Sequence, residues 1–351
     1  MKLFCLGGAG RIAREAVRDI VEFTDAGLFE RITVGDVNAD AGESLVSELE
    51  TERRDGRLDF KRIDVDRFDG AAEILGEYDV VMDGTGIALN DRATACISLA
   101  GCSGVNLNGF GEEYKYDGAF RPIAFSPAIF ETTSYEYDPD LPGRVVYEDG
   151  KFVQVPPFSR ERVIELPEPY GALPQWIIPH AEARTVPEYL KEKGVRLVEV
   201  RGTWPPENMK LVRALYDWGF FRNDRFTFKE REMGIMDVLG AYLVQSSEGA
   251  VTGLYGYALH VEVTGTKGGH GRRYVLTHTH PRSDGSVEGW EGLRAYTRNV
   301  GIPLSVAAIL IARGEARGEG VVIPERAFEP GKVFGELRKR GIVIHERVED
   351  G

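Results

Sequence analysis

A chain of 351 residues exceeds the roughly 250–300 residues at which one hydrophobic core usually stops growing, so two domains are expected. Its 42% hydrophobic and 10% aromatic content suffices for packed cores and excludes general disorder. A net charge of −13 gives no electrostatic reason to bind nucleic acid or an anionic membrane, and an acidic whole can still hold a basic pocket for an acidic small molecule.

The cysteines, Cys5, Cys96 and Cys102, have no metal-ligand spacing, and their odd number argues against a disulfide framework. Met1-Lys2 leads straight into a strand, which leaves no room for a signal peptide. The longest strongly apolar stretch, Val300 to Ala312, contains Pro303 and falls short of the roughly 20 residues that span a bilayer. The expectation is a cytoplasmic protein with neither a membrane nor a nucleic acid as partner.

In chain order, Lys2 to Leu6 is an apolar strand that ends in Gly7-Gly8-Ala9-Gly10. From Arg11 to Phe23, Ile12, Ala16, Ile20 and Phe23 recur at spacings of three and four, an amphipathic helix. Arg31 to Asp36 is a second strand, Ala39 to about Arg53 a polar helix, and Asp59 to Val65 a third strand. A short helix precedes a fourth strand, Tyr78 to Met82; a helix at Arg92 to Ala100 leads to a fifth, Gly104 to Leu107. Such alternation predicts an α/β, doubly wound parallel sheet. After about Asp117 the texture changes: Gly143 to Val155 is a hairpin turning at Glu148-Asp149-Gly150-Lys151. Alternating runs at Arg196 to Gly202, Leu254 to Gly265 and Arg272 to Thr279 indicate an α+β region on a mostly antiparallel sheet. An apolar helix, Leu293 to Arg313, and a short α/β tail, Lys332 to His345, close the chain. The expected organisation is a Rossmann domain over residues 1–118, completed by about 293–345, with an inserted α+β domain over 119–292.

The motif Gly8-x-Gly10-x-x-Ala13 follows a strand and opens a helix, and Asp36 ends the next strand 26 residues after Gly10. That is the context of a dinucleotide fingerprint. The glycines make the tight turn and admit the pyrophosphate, a small third residue allows close packing, and the helix N-terminus attracts phosphate. Ala9, Arg11 and Ile12 belong to the same turn. A carboxylate at Asp36 bonds ribose hydroxyls and repels a 2′-phosphate, and Val37-Asn38 offers no base to receive one, so NAD is favoured over NADP. Asp64-Val65 is placed at the adenine, with a helix N-cap as the structural alternative for Asp64; Gly84-Thr85 is placed along the ribose–nicotinamide edge.

With these residues in view the chain resembles the saccharopine dehydrogenase-like family, and within it the lysine 6-dehydrogenase type. The likeness runs through Gly-Ala-Gly-Arg-Ile-Ala at residues 8–13, Gly35-Asp36-Val37-Asn38, Pro142-Gly143-Arg144-Val145 with Asp149-Gly150-Lys151, Pro179 to Thr185, Arg201 to Pro205, and Gly320 to Glu325. The order of these motifs carries it. The resemblance implies a Rossmann domain completed by a C-terminal segment, an inserted α+β domain whose sheet supports a homodimer, and hydride transfer at a carbon–nitrogen bond of an amino acid or secondary-amine adduct. One departure stands out. Phe120 runs directly into Arg121-Pro122-Ile123, where family members carry several dozen residues bordering the substrate; the stretch is naturally short here or missing from the sequence.

Such a reaction needs a group to take a proton from the amine, and His180, beside Glu182 in a Pro-rich stretch, is the candidate by type; a structural loop histidine is the alternative. Substrate carboxylates call for the planar fork of arginine, for which Arg201, Arg298 and Arg144 come from the matched motifs, and Trp204 is a candidate pocket wall. A surface or interdomain ion pair is the alternative for each arginine. His278-Thr279-His280 and His270 lack accompanying carboxylate or cysteine ligands and indicate a sheet role, with no metal expected. Three functions follow: a lysine dehydrogenase-like NAD(P) enzyme, a saccharopine or carboxynorspermidine dehydrogenase or reductase, or a cofactor-binding scaffold or sensor without catalysis.

Overall fold

The computed structural model describes residues 1–65, 68–85, 104–108, 136–139, 144–167, 170–203, 206–222, 224–247 and 255–350. The chain begins β1 (Lys2–Leu6), α1 (Ala13–Phe23), β2 (Arg31–Asp36), α2 (Ala39–Arg53), β3 (Leu58–Arg62), α3 (Phe68–Leu75) and β4 (Val80–Asp83). It continues through β5 (Gly104–Asn108), β6 (Val145–Glu148), β7 (Lys151–Gln154), β8 (Arg162–Leu166), β9 (Gly171–Ile177), α4 (Glu182–Leu190), β10 (Leu197–Val198) and β11 (Arg201–Gly202). Then come α5 (Pro206–Asp217), β12 (Arg225–Phe228), β13 (Arg231–Gly234), α6 (Ile235–Ser247), β14 (Tyr255–Lys267) and β15 (His270–Thr279). The last elements are α7 (Arg294–Ala312), α8 (Pro324–Ala327), α9 (Pro330–Lys339) and β16 (Val343–Asp350). They form two units, Met1–Ala100 with Thr297–Gly341, and Gly101–Tyr296 with Ile342–Gly351.

In the first unit the sheet order is β3-β2-β1-β4, with every pairing parallel. The central strands β1 and β2 are buried on both faces, as a sheet covered on both sides requires, while the edge strand β3 carries Asp59, Lys61 and Arg62. Leu3, Cys5, Ile32, Val34 and Met82 pack against Ala16, Val17 and Ile20 of α1, Leu45 and Leu49 of α2, and Leu304, Ala308 and Ile309 of α7. Phe4, Leu6 and Ile63 face the other way, toward Ala71, Ile74 and Leu75 around α3. Helix α7 is long and apolar enough to cross a bilayer by length and composition, but most of its apolar stretch is buried within the fold.

The C-terminal segment is tied to α1 by a buried ion pair. Arg340 Nε donates to Asp19 Oδ1 and Oδ2 at 2.7 and 2.8 Å, Ser305 Oγ donates to Asp19 Oδ2 at 2.5 Å, and Arg340 Nη1 reaches Glu336 Oε2 at 2.9 Å. The Arg340 guanidinium also lies 4.0 Å over the Phe23 ring.

In the second unit every pairing among the described strands is antiparallel, in the orders β16-β15-β14-β5, β10-β6-β7, β11-β9-β8 and β12-β13. The β6–β7 hairpin turns at Asp149 and Gly150, with φ of +43° and +86°, the two positive angles a two-residue type I′ turn demands. One expected strand changes place. Gly104–Asn108 pairs antiparallel with the first half of β14 and is not a fifth parallel strand, because so short a strand, with Val105 and Leu107 alternating with asparagines, fits either kind of sheet and its partner is chosen by distant residues. The helix expected at Arg92 to Ala100 and the Phe120–Arg121 junction lie outside the described residues.

Where β14 leaves β15 for β5, two imidazoles take over as acceptors. Leu259 N–H donates to His278 Nδ1 at 3.1 Å and Tyr257 N–H to His280 Nε2 at 2.9 Å, while His280 Nδ1 donates to Pro281 O at 2.7 Å and the ring stacks on Trp290. An imidazolium cannot accept a hydrogen bond, so this seam requires neutral histidines.

Two outcomes are expected. Arg340→Met strands a buried carboxylate and lowers stability by about 3–5 kcal/mol, read as a drop in the urea midpoint, and adding Asp19→Leu restores much of the loss. Burial holds the His280 pKa below 6.5, with the Pro281 carbonyl opposing more weakly. The unfolded chain therefore binds this proton first as pH falls, so the contribution to stability is present above pH 6.5 and declines below it. Denaturation curves of His280→Gln against the parent between about pH 5 and 8 read that difference.

Candidate functional site

The carboxyl ends of β1 and β4 flank the switch point of the first unit's sheet, where open α/β sheets bind ligands. Gly7 takes φ +65°, and Gly8 N–H donates to Cys5 O and Gly35 O at 3.2 and 3.1 Å. A Cβ on Gly8 would stand 2.7 Å from Cys5 O, so the turn admits only glycine there. Gly10 N–H closes the turn on Gly7 O at 3.0 Å. Arg14 donates to Gly10 O and Glu15 and Ala16 to Ile12 O, leaving the N–H groups of Arg11, Ile12 and Ala13 without an acceptor in the described backbone. Unmet donors at a helix N-terminus suit a phosphate. Ala13, at the third position of the motif, is buried, and a Cβ on Gly84 would collide with its methyl at 2.4 Å.

Asp36 is aimed by two backbone donors: Ala9 N–H bonds Oδ2 at 3.1 Å and Asn38 N–H bonds Oδ1 at 2.9 Å. The carboxylate is thus pinned to the glycine turn, and Val37 beside it is 56% exposed. Asp64 and Val65, just past β3, are half-buried. Thr85 is held by Asp83 Oδ1, which accepts from its N–H at 2.9 Å and its hydroxyl at 2.6 Å. Asp83 belongs to this candidate site and the sequence reading did not single it out; the acid ending β4 was its only signal, and its Oδ2 is buried without a hydrogen-bond donor among the described residues. The free donors, the glycine-only turn and the oriented carboxylate fit a dinucleotide.

In the second unit, His180 follows β9 and Glu182 opens α4. His180 Nδ1 lies 3.2 Å from Glu182 Oε2, and their side chains are 15% and 19% exposed. Burial disfavours the imidazolium, but the hydrogen bond and charge of Glu182, together with the charge of Glu136, outweigh it and hold the pKa above its ordinary value. Arg144, just before β6, is 2% exposed; its Nη2 donates to Glu136 O, and its buried Nε has no acceptor among the described residues. Burial lowers the Arg144 pKa against the pull of Tyr137, Tyr216, Glu136 and Asp138. Tyr137 is fully buried beside Phe158 and donates to Met209 Sδ at 3.8 Å. Burial, reinforced by Glu136, raises the Tyr296 pKa. An open hollow of about 510 Å³, lined by Phe158, Trp176, Thr203, Met209 and Arg213, adjoins this aromatic cluster.

Within the second unit the fold gathers His180 and Arg144 around Glu136. Arg201 spends its fork on Glu199, at 2.8 and 2.9 Å, and on the Arg160 carbonyl. Arg298 is buried in the first unit, where its charge acts on Asp19. Trp204 lies outside the described residues. Glu136 and Tyr137 carried only a faint signal, an acid–aromatic alternation in a stretch without periodicity. Among the described residues no group of three or more His, Cys, Asp or Glu side chains could hold a metal ion.

Comparison with curated proteins gives no significant match. Among solved structures, apo histidine-tagged saccharopine dehydrogenase (L-Glu forming) from Saccharomyces cerevisiae superposes with a TM-score of 0.63 over 99% of this chain and 100% of that one. Identity is 14%, so this likeness speaks for the fold. The model of the saccharopine dehydrogenase C-terminal domain matches residues 143–342, more than half of the chain. The chain belongs to the saccharopine dehydrogenase-like family.

Proposed function

We propose that the protein is an NAD-dependent oxidoreductase that oxidises a carbon–nitrogen bond of an amino acid, in the manner of a lysine dehydrogenase. Family membership supports amino-acid oxidoreduction. The observation that carries the cofactor assignment is the glycine turn, with its unmet N–H groups and the Asp36 carboxylate pinned across it by Ala9 and Asn38. Gly8, Ala9, Gly10, Arg11 and Ile12 take the pyrophosphate, Asp36 and Val37 the adenosine ribose, Asp64 and Val65 the adenine, and Gly84 and Thr85 the nicotinamide half. When bound, the nicotinamide supplies the hydride acceptor.

The chain's own contribution is to hold the amine and manage its proton. The substrate ammonium loses a proton to His180 Nε2; the neutral amine then gives up hydride from its α- or ε-carbon and becomes an iminium. Water adds to that iminium and ammonium leaves, yielding the carbonyl product. Arg144, a buried guanidinium with an unmet donor, takes the substrate carboxylate.

Mixing the protein with NAD or NADP and a panel of amino acids, and following reduced cofactor and ammonium, tests the reading. Turnover with lysine and release of ammonium supports it. Turnover only with secondary-amine adducts replaces it with a saccharopine or carboxynorspermidine type, and NAD binding without turnover replaces it with a scaffold or sensor. Asp36→Ser is expected to shift the NAD-to-NADP ratio of kcat/KM toward NADP by about tenfold or more, roughly 1.4 kcal/mol. His180→Gln is expected to lower kcat about 10²–10⁴-fold with the Kd for NAD unchanged by titration. Because the base form of His180 forms as pH rises through its elevated pKa, kcat/KM rises with pH above 6.5 in the parent.

A further inference from the structure

His180 and Glu182 are set two residues apart by a fixed piece of backbone. Ala183 N–H donates to His180 O at 3.2 Å, and Glu182 is the first residue of α4. This turn brings Glu182 Oε2 to 3.2 Å from His180 Nδ1. The other carboxylate oxygen, Oε1, is buried and has no hydrogen-bond partner among the described residues, where the imidazole is the side-chain group that holds this carboxylate. A carboxylate on Nδ1 dictates which nitrogen carries the proton of the neutral ring: Nδ1 is N–H, and Nε2 is the lone-pair acceptor. The second charged group acting on the ring is Glu136, which comes from the segment before β6 and is held by its carbonyl to Arg144.

We infer that Glu182 is a positioning residue that fixes the His180 tautomer and ring orientation so that Nε2 takes the substrate's proton. The inference rests on the reading of His180 as proton acceptor. Burial of both side chains strengthens the pair, since a charge-assisted hydrogen bond gains in a low-dielectric setting. Glu182 also sits where the positive end of the α4 dipole favours an acid. That placement alone predicts a loss of stability on replacement, with no effect on the ring's tautomer or on a pH profile.

The test uses the full-length protein labelled with 15N in its histidines. In the parent, imidazole shifts should show His180 as the Nδ1–H tautomer when neutral; an Nε2–H tautomer there overturns the inference before any variant is made. In Glu182→Gln, the His180 pKa should fall by roughly one unit. If the protein turns over an amine, the rising limb of kcat/KM should move down in pH by the same amount and kcat should fall by about tenfold or more, with KM little changed. Combining Glu182→Gln with His180→Gln should cost no more than His180→Gln alone. A Glu182→Gln protein with unchanged tautomer, pKa and pH profile overturns the inference whatever its stability. Absence of any amine oxidation in the parent instead overturns the proposed function and leaves the tautomer measurement as the test of the pair. Should Glu182→Gln fail to fold, the parent's tautomer and Glu182→Asp, which retracts the carboxylate and should lower the His180 pKa, decide the matter.

Discussion

Asp19 is a carboxylate sealed inside the first unit, 1% exposed, on the helix that opens with the glycine turn. Burial raises its pKa, and Arg340, Ser305 and Arg298 work against that rise. A charge in such a place is tolerable only with a hydrogen-bonded partner, and this one arrives 321 residues later in the chain. The helix that presents the glycine turn is therefore not seated by the first hundred residues alone. Gly301 sharpens the constraint: a Cβ there would stand 2.7 Å from Ile12 O, so α7 lies against the first turn of α1 with no side chain between them. The two ends of the chain jointly fix the backbone of the glycine turn.

What the sequence made legible was local. Apolar runs, the glycine turn, the closing acid at Asp36 and the Asp149-Gly150 turn each carry their conformation in adjacent residues, and the fold has them where their pattern puts them. The misplaced strand was a matter of pairing: nothing within Gly104–Asn108 names β14 as its neighbour. The same holds for Asp19 and Arg340, two unremarkable charges in the sequence that meet only in the folded core. His278 and His280 were assigned a place on a sheet, but their work of completing the β14 seam depends on where β14 leaves β15 for β5, a fact of topology that no periodicity encodes.

The glycine turn proposed to take a cofactor was legible in the sequence, and the partners of the candidate arginines and histidines were much less so, for one physical reason. A pyrophosphate is bound by backbone, and backbone geometry leaves a trace in glycines. A carboxylate is bound by a guanidinium, and the sequence shows only that an arginine is present. Arg144, Arg201 and Arg298 looked equivalent. In the fold, Arg201 is satisfied by Glu199 and Arg160, whereas Arg144 and Arg298 each have a buried Nε with no hydrogen-bond partner among the described residues. What separates these two is their surroundings: Arg298 lies in the first unit, where its charge acts on Asp19, and Arg144 lies in the second, beside Glu136.

Histidine shows the same logic at finer grain. Burial pushes both His180 and His280 toward the neutral form, yet their pKa values move in opposite directions. Each ring has one nitrogen turned to an oxygen: Pro281 O for His280, Glu182 Oε2 for His180. A carbonyl can fix a tautomer, but it carries too little charge to overcome desolvation of the imidazolium. A carboxylate does both. Under the proposed function that difference matters, because the base would face an alkylammonium, whose pKa of about 10.4 lies roughly four units above that of an ordinary imidazole. Raising the acceptor's pKa narrows the gap across which the proton must climb, at the cost of a smaller fraction of free base at neutral pH. A histidine backed by a carboxylate is suited to that compromise, and one backed by a carbonyl is suited to holding a sheet together.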